Sequence, residues 1–196
     1  MHRVLVIDDA VDKQTQDLIE KTIFNRETQW TLGRTVFYEK HPEVVEQQRN
    51  TLMSFTKSLL RVDDGFIVDD FGMYDKILDA IDNRTNLKVN SLLTSRIQLQ
   101  LPVITDKLYG VPHVDGYRNV PYKVAVYYVN DVDGDTFLFK QTTKNTTPEQ
   151  ILNGELEIDQ QISPKKGRLI VFDGDIYHAV GKPKTDLRCI INYNFV

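Results

Sequence analysis

The sequence predicts a mainly β protein of the α+β class, with its helices gathered toward the N-terminus. Three observations point there. After Leu92 the chain is a close series of short apolar-alternating runs between turn residues, the pattern of an antiparallel sandwich or barrel. Before it, two segments space their apolar residues as helices do. The length of 196 residues, 41% hydrophobic and 27% charged, suits one globular domain with a core.

In chain order, residues 4–7 are a β-branched run stopped by Asp8 and Asp9, and read as a strand. Residues 12–24 read as a helix with Val11, Leu18, Ile19 and Ile23 on its inward face. The aromatic and β-branched content of residues 30–38 suggests a strand. Residues 44–60 are polar but helical in spacing. Residues 74–81, continuing toward Leu87, form a second helix with Ile77, Leu78, Ile81 and Leu87 apolar. The predicted strands of the β part are 95–101, 108–113, 122–129, 136–139, 156–158, 168–172 and 187–195. Residues 141–153, rich in Thr, Asn and Gln, read as a long connection of the kind that covers a site. There is no repeat, linker or low-complexity tract. The expected organisation is one domain over 1–196: a helix-rich support over 1–91 and a β-core carrying the site over 92–196.

A net charge of −4 gives no electrostatic footprint for nucleic acid or an anionic membrane. Cys189 is the lone cysteine, so an internal disulfide is excluded and a reducing compartment is the simplest setting. No apolar run has the length of a transmembrane helix. The apolar stretch at residues 4–7 is too short for a signal peptide. The expected location is the cytosol. Oligomeric state is not legible.

Of four histidines (His2, His41, His113 and His178), the last two carry chemistry. His113-Val114-Asp115 sets an imidazole and a carboxylate two residues apart, on one face of an extended chain. His178 follows on another strand, after Phe172-Asp173-Gly174-Asp175. Two histidines and one carboxylate make a facial triad, which leaves open positions for a bidentate organic acid and dioxygen on ferrous iron. The set is too mixed and sparse for a closed structural zinc site. His-x-Asp by itself is weak evidence, since an isolated histidine is more often a packed or surface residue.

Arg188 adds a second kind of evidence. An arginine within an otherwise apolar strand is costly unless it meets an anion, and its fork suits a carboxylate. One reading is a salt bridge to a nearby aspartate such as Asp186. The other is the distal carboxylate of 2-oxoglutarate, whose keto-acid end would chelate the iron. One cosubstrate spanning metal and arginine accounts for both features.

On these residues the sequence resembles the 2-oxoglutarate/Fe(II)-dependent oxygenases, within them the prolyl 4-hydroxylase-like branch. The resemblance runs through Pro112-His113-Val114-Asp115 and the segment Tyr127-Tyr128-Val129-Asn130-Asp131-Val132-Asp133-Gly134-Asp135-Thr136-Phe137. It continues through Pro164-x-x-Gly167-x-x-x-x-Phe172 to His178 and Arg188. It implies a double-stranded β-helix, a jelly-roll or cupin-like core. It implies iron bound by His113, Asp115 and His178, and 2-oxoglutarate bound by Arg188. Tyr128 is implied as a support for the cosubstrate carboxylate, with a core aromatic as the other reading. The implied reaction is hydroxylation of a C–H bond with O2, releasing succinate and CO2, with ascorbate as an accessory. A peptidyl proline is the leading substrate, and a free amino acid or other small molecule the alternative. Two other classes stay open: a metal-binding jelly roll without catalysis, and a purely structural β-domain.

The chain departs from the family in two places. Ile190 stands where many relatives carry a serine that touches the cosubstrate, and Asp133-Gly134-Asp135-Thr136 replaces Gly-Gly-Glu-Thr. Gln98 and Gln100, on a strand with Arg96, are alternative polar contacts. Asp131-Val132-Asp133-Gly134-Asp135 is not an EF-hand loop, because Thr136 and Thr142 occupy the obligatory glycine and glutamate positions. It reads as a hairpin turn. Cys189 alternates away from Arg188 and reads as a packed side chain. Asp173 and Asp175 read as turn residues, with Asp175 placed to orient the His178 ring.

Overall fold

The computed structural model describes residues 4–33, 54–61, 66–67, 72–116 and 120–196. Its strands are β1 (Leu5–Ile7), β2 (Thr31–Gly33), β3 (Ser54–Arg61), β4 (Phe66–Ile67), β5 (Leu92–Gln100) and β6 (Lys123–Tyr128). They continue with β7 (Thr136–Thr142), β8 (Ile158–Ile162), β9 (Leu169–Asp173), β10 (Ile176–Val180) and β11 (Arg188–Phe195). The helices are α1 (Lys13–Ile23), α2 (Gly72–Arg84) and α3 (Pro148–Leu152).

The strands form two antiparallel sheets. The larger has the order β1-β9-β6-β11-β5-β3-β2, with β4 on β3, and the smaller is β10-β7-β8. Alternation along β11 shows how they are packed. Cys189, Ile191, Tyr193 and Phe195 point to one side and meet Ile19 and Ile23 of α1 and Tyr74, Ile77 and Ile81 of α2. Ile190 points to the other, where it packs with Leu138, Ile162 and Ile176 of the smaller sheet. Helices cover one face of the large sheet, and the space between the sheets holds the site. This is the double-stranded β-helix.

Helix α1 begins at Asp12, whose carboxylate accepts from the backbone N–H of Thr15 at 2.9 Å. Its buried face is Thr15, Gln16, Ile19 and Ile23. Leu18 is exposed, contrary to the expected inward face. The place expected for it is taken by Gln16, whose amide donates to the Val11 carbonyl and to Asp9. The helix predicted for 44–60 is corrected where the structure describes it: residues 54–60 belong to strand β3. Ser54, Thr56 and Ser58 lie opposite Gln100, Gln98 and Arg96, so the period is two. Pairing with a long neighbouring strand overrides the local helical spacing. Residues 44–53, and 34–38 of the strand predicted for 30–38, lie outside the described residues.

Residues 108–113 do not form the strand predicted for them. They reach the smaller sheet through two isolated bridges, Tyr109 to Gly181 and His113 to His178. Pro112 between them has no N–H to donate. The turn at 131–135 joins β6 of the large sheet to β7 of the small one, so it is a crossover and not a hairpin. Asp133 accepts from the N–H groups of Lys184 and Thr185, which ties the crossover to the loop before β11. The connection at 141–153 contains α3, with a capping box between Thr147 and Gln150. No helix among the described residues is long and apolar enough to cross a membrane.

Candidate active site

Two short backbone hydrogen bonds create the centre of the site. His113 N–H donates to the His178 carbonyl at 2.8 Å, and His178 N–H returns the bond at 2.9 Å. This pairing sets the two rings side by side, with centroids 4.5 Å apart. Asp115, two residues past His113, turns its carboxylate to both. Its Oδ1 is 3.9 Å from His113 Nε2 and 3.7 Å from His178 Nε2. One donor atom from each of the three lies within 4.8 Å of the other two, the spread of ligands around a single ion. All three side chains are at least nine-tenths buried.

The hydrogen bonds of the rings decide what they present. His113 Nδ1 is 3.1 Å from the Val111 carbonyl, and His178 Nδ1 is 3.2 Å from the Ile176 carbonyl. A carbonyl only accepts, so each Nδ1 carries a proton and each Nε2 is the nitrogen that faces Asp115. Burial, followed by repulsion from His178, pulls the His113 pKa down to about 3, against the attraction of Asp115. The imidazole is therefore neutral, the state a metal binds. Burial pushes the Asp115 carboxyl up, but His178, Arg96 and His113 outweigh it and hold the carboxylate well below the usual range. Two imidazole nitrogens and one ionised carboxylate fit a divalent transition metal such as ferrous iron. Asn192 donates to Asp115 Oδ2 at 3.2 Å, and Arg96 Nη2 lies 3.6 Å from Oδ1. Asp175, expected to orient His178, instead pairs with Lys144, and the Ile176 carbonyl fixes the ring.

Arg188 occupies the far end of the same inner face. It is 1% exposed. Its Nε donates to the Gly134 carbonyl at 2.6 Å, Nη1 to Gln100 at 3.0 Å and Nη2 to Thr136 at 2.9 Å. All three acceptors are neutral. Among the described residues it has no carboxylate partner. Asp186, the salt-bridge candidate, accepts instead from the N–H of Leu187. A buried guanidinium held by neutral acceptors has its geometry fixed while, among the described residues, no carboxylate touches it, which suits an anion site. Gln100, considered from the sequence as a cosubstrate contact, is spent on Arg188.

Tyr128 is fully buried, and its hydroxyl donates to Thr136 Oγ1 at 2.6 Å. Arg188 and Tyr128 therefore share one acceptor. Ile190 pairs across to Tyr128 on one side and Gln98 on the other, an apolar step between Arg188 and Asn192. Cys189 is buried on the opposite face, and burial pushes its thiol pKa up, as befits a packed residue. His2 and His41 lie outside the described residues. Sequence reasoning missed Thr136 and Asn192 as members of the site.

No protein-family model matches the sequence, and no curated protein matches it. Solved structures do share the fold. A prolyl-4-hydroxylase from Pseudomonas putida aligns over 100% of this chain and 92% of its own, with TM-score 0.60 and 14% identity. A Trichoplax adhaerens prolyl hydroxylase, in complex with a hypoxia inducible factor oxygen degradation domain peptide fragment, aligns over 98% of this chain and 83% of its own. Its TM-score is 0.57 and its identity 13%. HygX from Streptomyces hygroscopicus, with nickel, 2-oxoglutarate and hygromycin B bound, aligns over 99% and 82%, with TM-score 0.62 and 12% identity. The jelly-roll expectation is met: the fold is the one found in 2-oxoglutarate/Fe(II) oxygenases.

Proposed function

We propose that this chain, carrying the oxygenase fold, is an Fe(II)- and 2-oxoglutarate-dependent dioxygenase that hydroxylates a C–H bond. The observation that carries the reading is the pairing of two sites on one inner face. Three buried donors converge at one end, and a buried arginine touched by no carboxylate among the described residues stands at the other. A structural β-domain has no use for either, because both are costly to bury empty.

His113, Asp115 and His178 would hold the iron. When bound, iron with 2-oxoglutarate and O2 supplies the oxidising chemistry, with succinate and CO2 as co-products. The protein's own contribution is orientation and exclusion of water. The carbonyls of Val111 and Ile176 lock both rings in the tautomer that presents Nε2. Asn192 fixes the Asp115 carboxylate. Phe172 stands edge-on to His178, with centroids 5.1 Å apart, and closes the apolar side. Arg188 takes the distal carboxylate of 2-oxoglutarate, oriented by Gly134, Gln100 and Thr136. Tyr128 supports that pocket through Thr136.

The leading substrate is a peptidyl proline, the class acted on by the prolyl hydroxylases that share the fold. The small-molecule complex of HygX supports the alternative of a small substrate. The test is succinate formation from 2-oxoglutarate with ferrous iron and O2. The wild-type chain is expected to turn over, and H178A and R188A are not. Absence of both iron binding and turnover in the wild type would overturn the reading.

A further inference from the structure

The connection at 141–153, which the sequence suggests as a cover for a site, packs on the far side of the smaller sheet. Side chains of that sheet alternate. Leu138 and Ile176 pack between the sheets, and His178 turns its ring to Asp115. Phe137, Phe139 and Tyr177 face away from the cavity and form a separate apolar cluster with Leu156 and with Ile151 of α3. Val114 belongs to that outer cluster and is 4% exposed.

Val114 is the residue between His113 and Asp115. In an extended chain its side chain points opposite to theirs, so burying it on the outside turns both donors inward. Backbone pairing holds this segment only in part. The chain reaches β10 through the bridges of Tyr109 and His113, and Pro112 has no N–H to add. Asp115 lies past the second bridge, and the chain then leaves through Gly116 at a φ of +95°. The outer cluster supplies packing where the pairing stops. Tyr109 is held at the other end of the segment, its ring 5.1 Å from that of Phe137 and 5.3 Å from that of Phe139. Helix α3 closes the cluster from outside. Ile151 is its buried residue, and the capping box fixes its first turn.

We propose that α3 positions the metal donors: Ile151, through the outer cluster, holds Val114, and Val114 sets the direction of His113 and Asp115. Ile151 and Val114 touch no reacting atom, so both are positioning residues. Such packing matters because a misplacement of about 1 Å, from a change remote from the chemistry, can cost about 100-fold in rate. The proposal rests on the metal site of the oxygenase reading above.

The experiment separates this role from a merely structural one. Mn2+ affinity is measured calorimetrically, and the absorption bands of Co2+-loaded protein report the geometry of the donors. Ile151→Ala is compared with Ile77→Ala, which opens a cavity of the same kind in the helix-side core, where Ile77 is fully buried. Ile151→Ala is expected to weaken Mn2+ binding about tenfold and to shift the Co2+ bands. Ile151→Val should recover most of both. Val114→Ala should reproduce Ile151→Ala, and the pair together should cost less than the two added. Ile77→Ala should leave affinity and bands as in the wild type while lowering Tm at least as much. Should an alanine variant fail to fold, Ile151→Val is compared with Ile77→Val, with Mn2+ binding weakened about twofold by the first and unchanged by the second. The assignment is overturned if the Ile151 variants keep wild-type affinity and bands, or if the Ile77 variants lose as much. Failure of the oxygenase reading looks different: the wild type itself would bind neither Mn2+ nor Co2+.

Discussion

The guanidinium carbon of Arg188 lies 5.6 Å from the centroid of the Tyr128 ring, and the two side chains meet again at the Thr136 hydroxyl, which accepts from both. The tyrosine proton is thus committed inside the protein, and in the proposed anion pocket Tyr128 would act mainly by holding Thr136 and Arg188 in place. Tyr128→Phe is expected to weaken 2-oxoglutarate binding about 2–10-fold, the worth of one neutral hydrogen bond. Arg188→Ala should weaken it by about 100-fold or more. Thr136→Val combined with Tyr128→Phe should cost less than the two separately, because both act through one oxygen. Calorimetry with the Mn2+-loaded protein reads all four variants.

Metal binding should stabilise the fold through the same three donors. At a metal concentration about 100 times Kd, the linkage contribution is about 2.7 kcal/mol. The wild type should therefore gain several degrees in Tm on adding Mn2+. His113→Ala, Asp115→Ala and His178→Ala should each lose that gain. An unchanged metal-dependent shift in any of the three would remove that residue from the ligand set.

The acid limb of stability should report on Asp8. The hydrogen bond from Arg168 holds its carboxyl at about 2 against burial, and Lys165 adds to the effect. Its folded pKa lies below its unfolded value of 3.8, so the stabilisation is present above pH 4. It is lost as pH falls from about 4 to about 2. The carboxyl is partly exposed, so the contribution is about 1 kcal/mol or less. Asp8→Asn should lower Tm by about 2–4 °C at pH 7. The gap from wild type should close by pH 2, as followed by circular dichroism.

Gly181 stands where a side chain has no room. A Cβ there would come within 2.5 Å of the Asp135 carbonyl oxygen and 2.6 Å of its nitrogen, both backbone atoms. Gly181→Ala must therefore push the end of β10 away from the crossover that carries Gly134, an acceptor for Arg188. A destabilisation of about 1–3 kcal/mol is expected, together with weaker 2-oxoglutarate binding. Gly72→Ala at the start of α2 meets nothing within 4 Å and serves as the neutral control.

The sequence was informative where a pattern is local. The strands after Leu92 alternate, and β5, β6, β9 and β11 appear within a few residues of their predicted bounds. His113, Asp115 and His178 were singled out by residue type and spacing, and the fold brings their donor atoms within 4.8 Å of one another; Arg188, singled out as a charge in an apolar strand, is buried at the start of β11. The failures concern partners distant in sequence. Strand β3 looked helical because only its pairing with β5 makes it extended. Thr136 joined the site through Arg188, 52 positions away. Asn192 reached Asp115 across 77. One signal was available: Arg188, Asn192 and Asn194 share the parity of an otherwise apolar last strand, which marks a polar stripe on one face. The capping box Thr147-Pro148-Glu149-Gln150 was also readable and would have placed α3.

Ile190 makes β11 a ruler. Arg188 and Asn192 are four residues apart on an extended strand, about 13 Å between Cα atoms, and the one inward residue between them is a branched hydrocarbon. A molecule stretched along this strand meets polar groups only at its two tips, and its middle must be greasy. A chain with an extra hydroxyl or charge at its centre would have to bury it against Ile190 unsolvated, at a cost of about 1–3 kcal/mol or more. If Arg188 holds 2-oxoglutarate as proposed, the substitution that looked like a missing contact would act as a filter, admitting a slender diacid with a hydrocarbon waist and rejecting its more oxidised cousins.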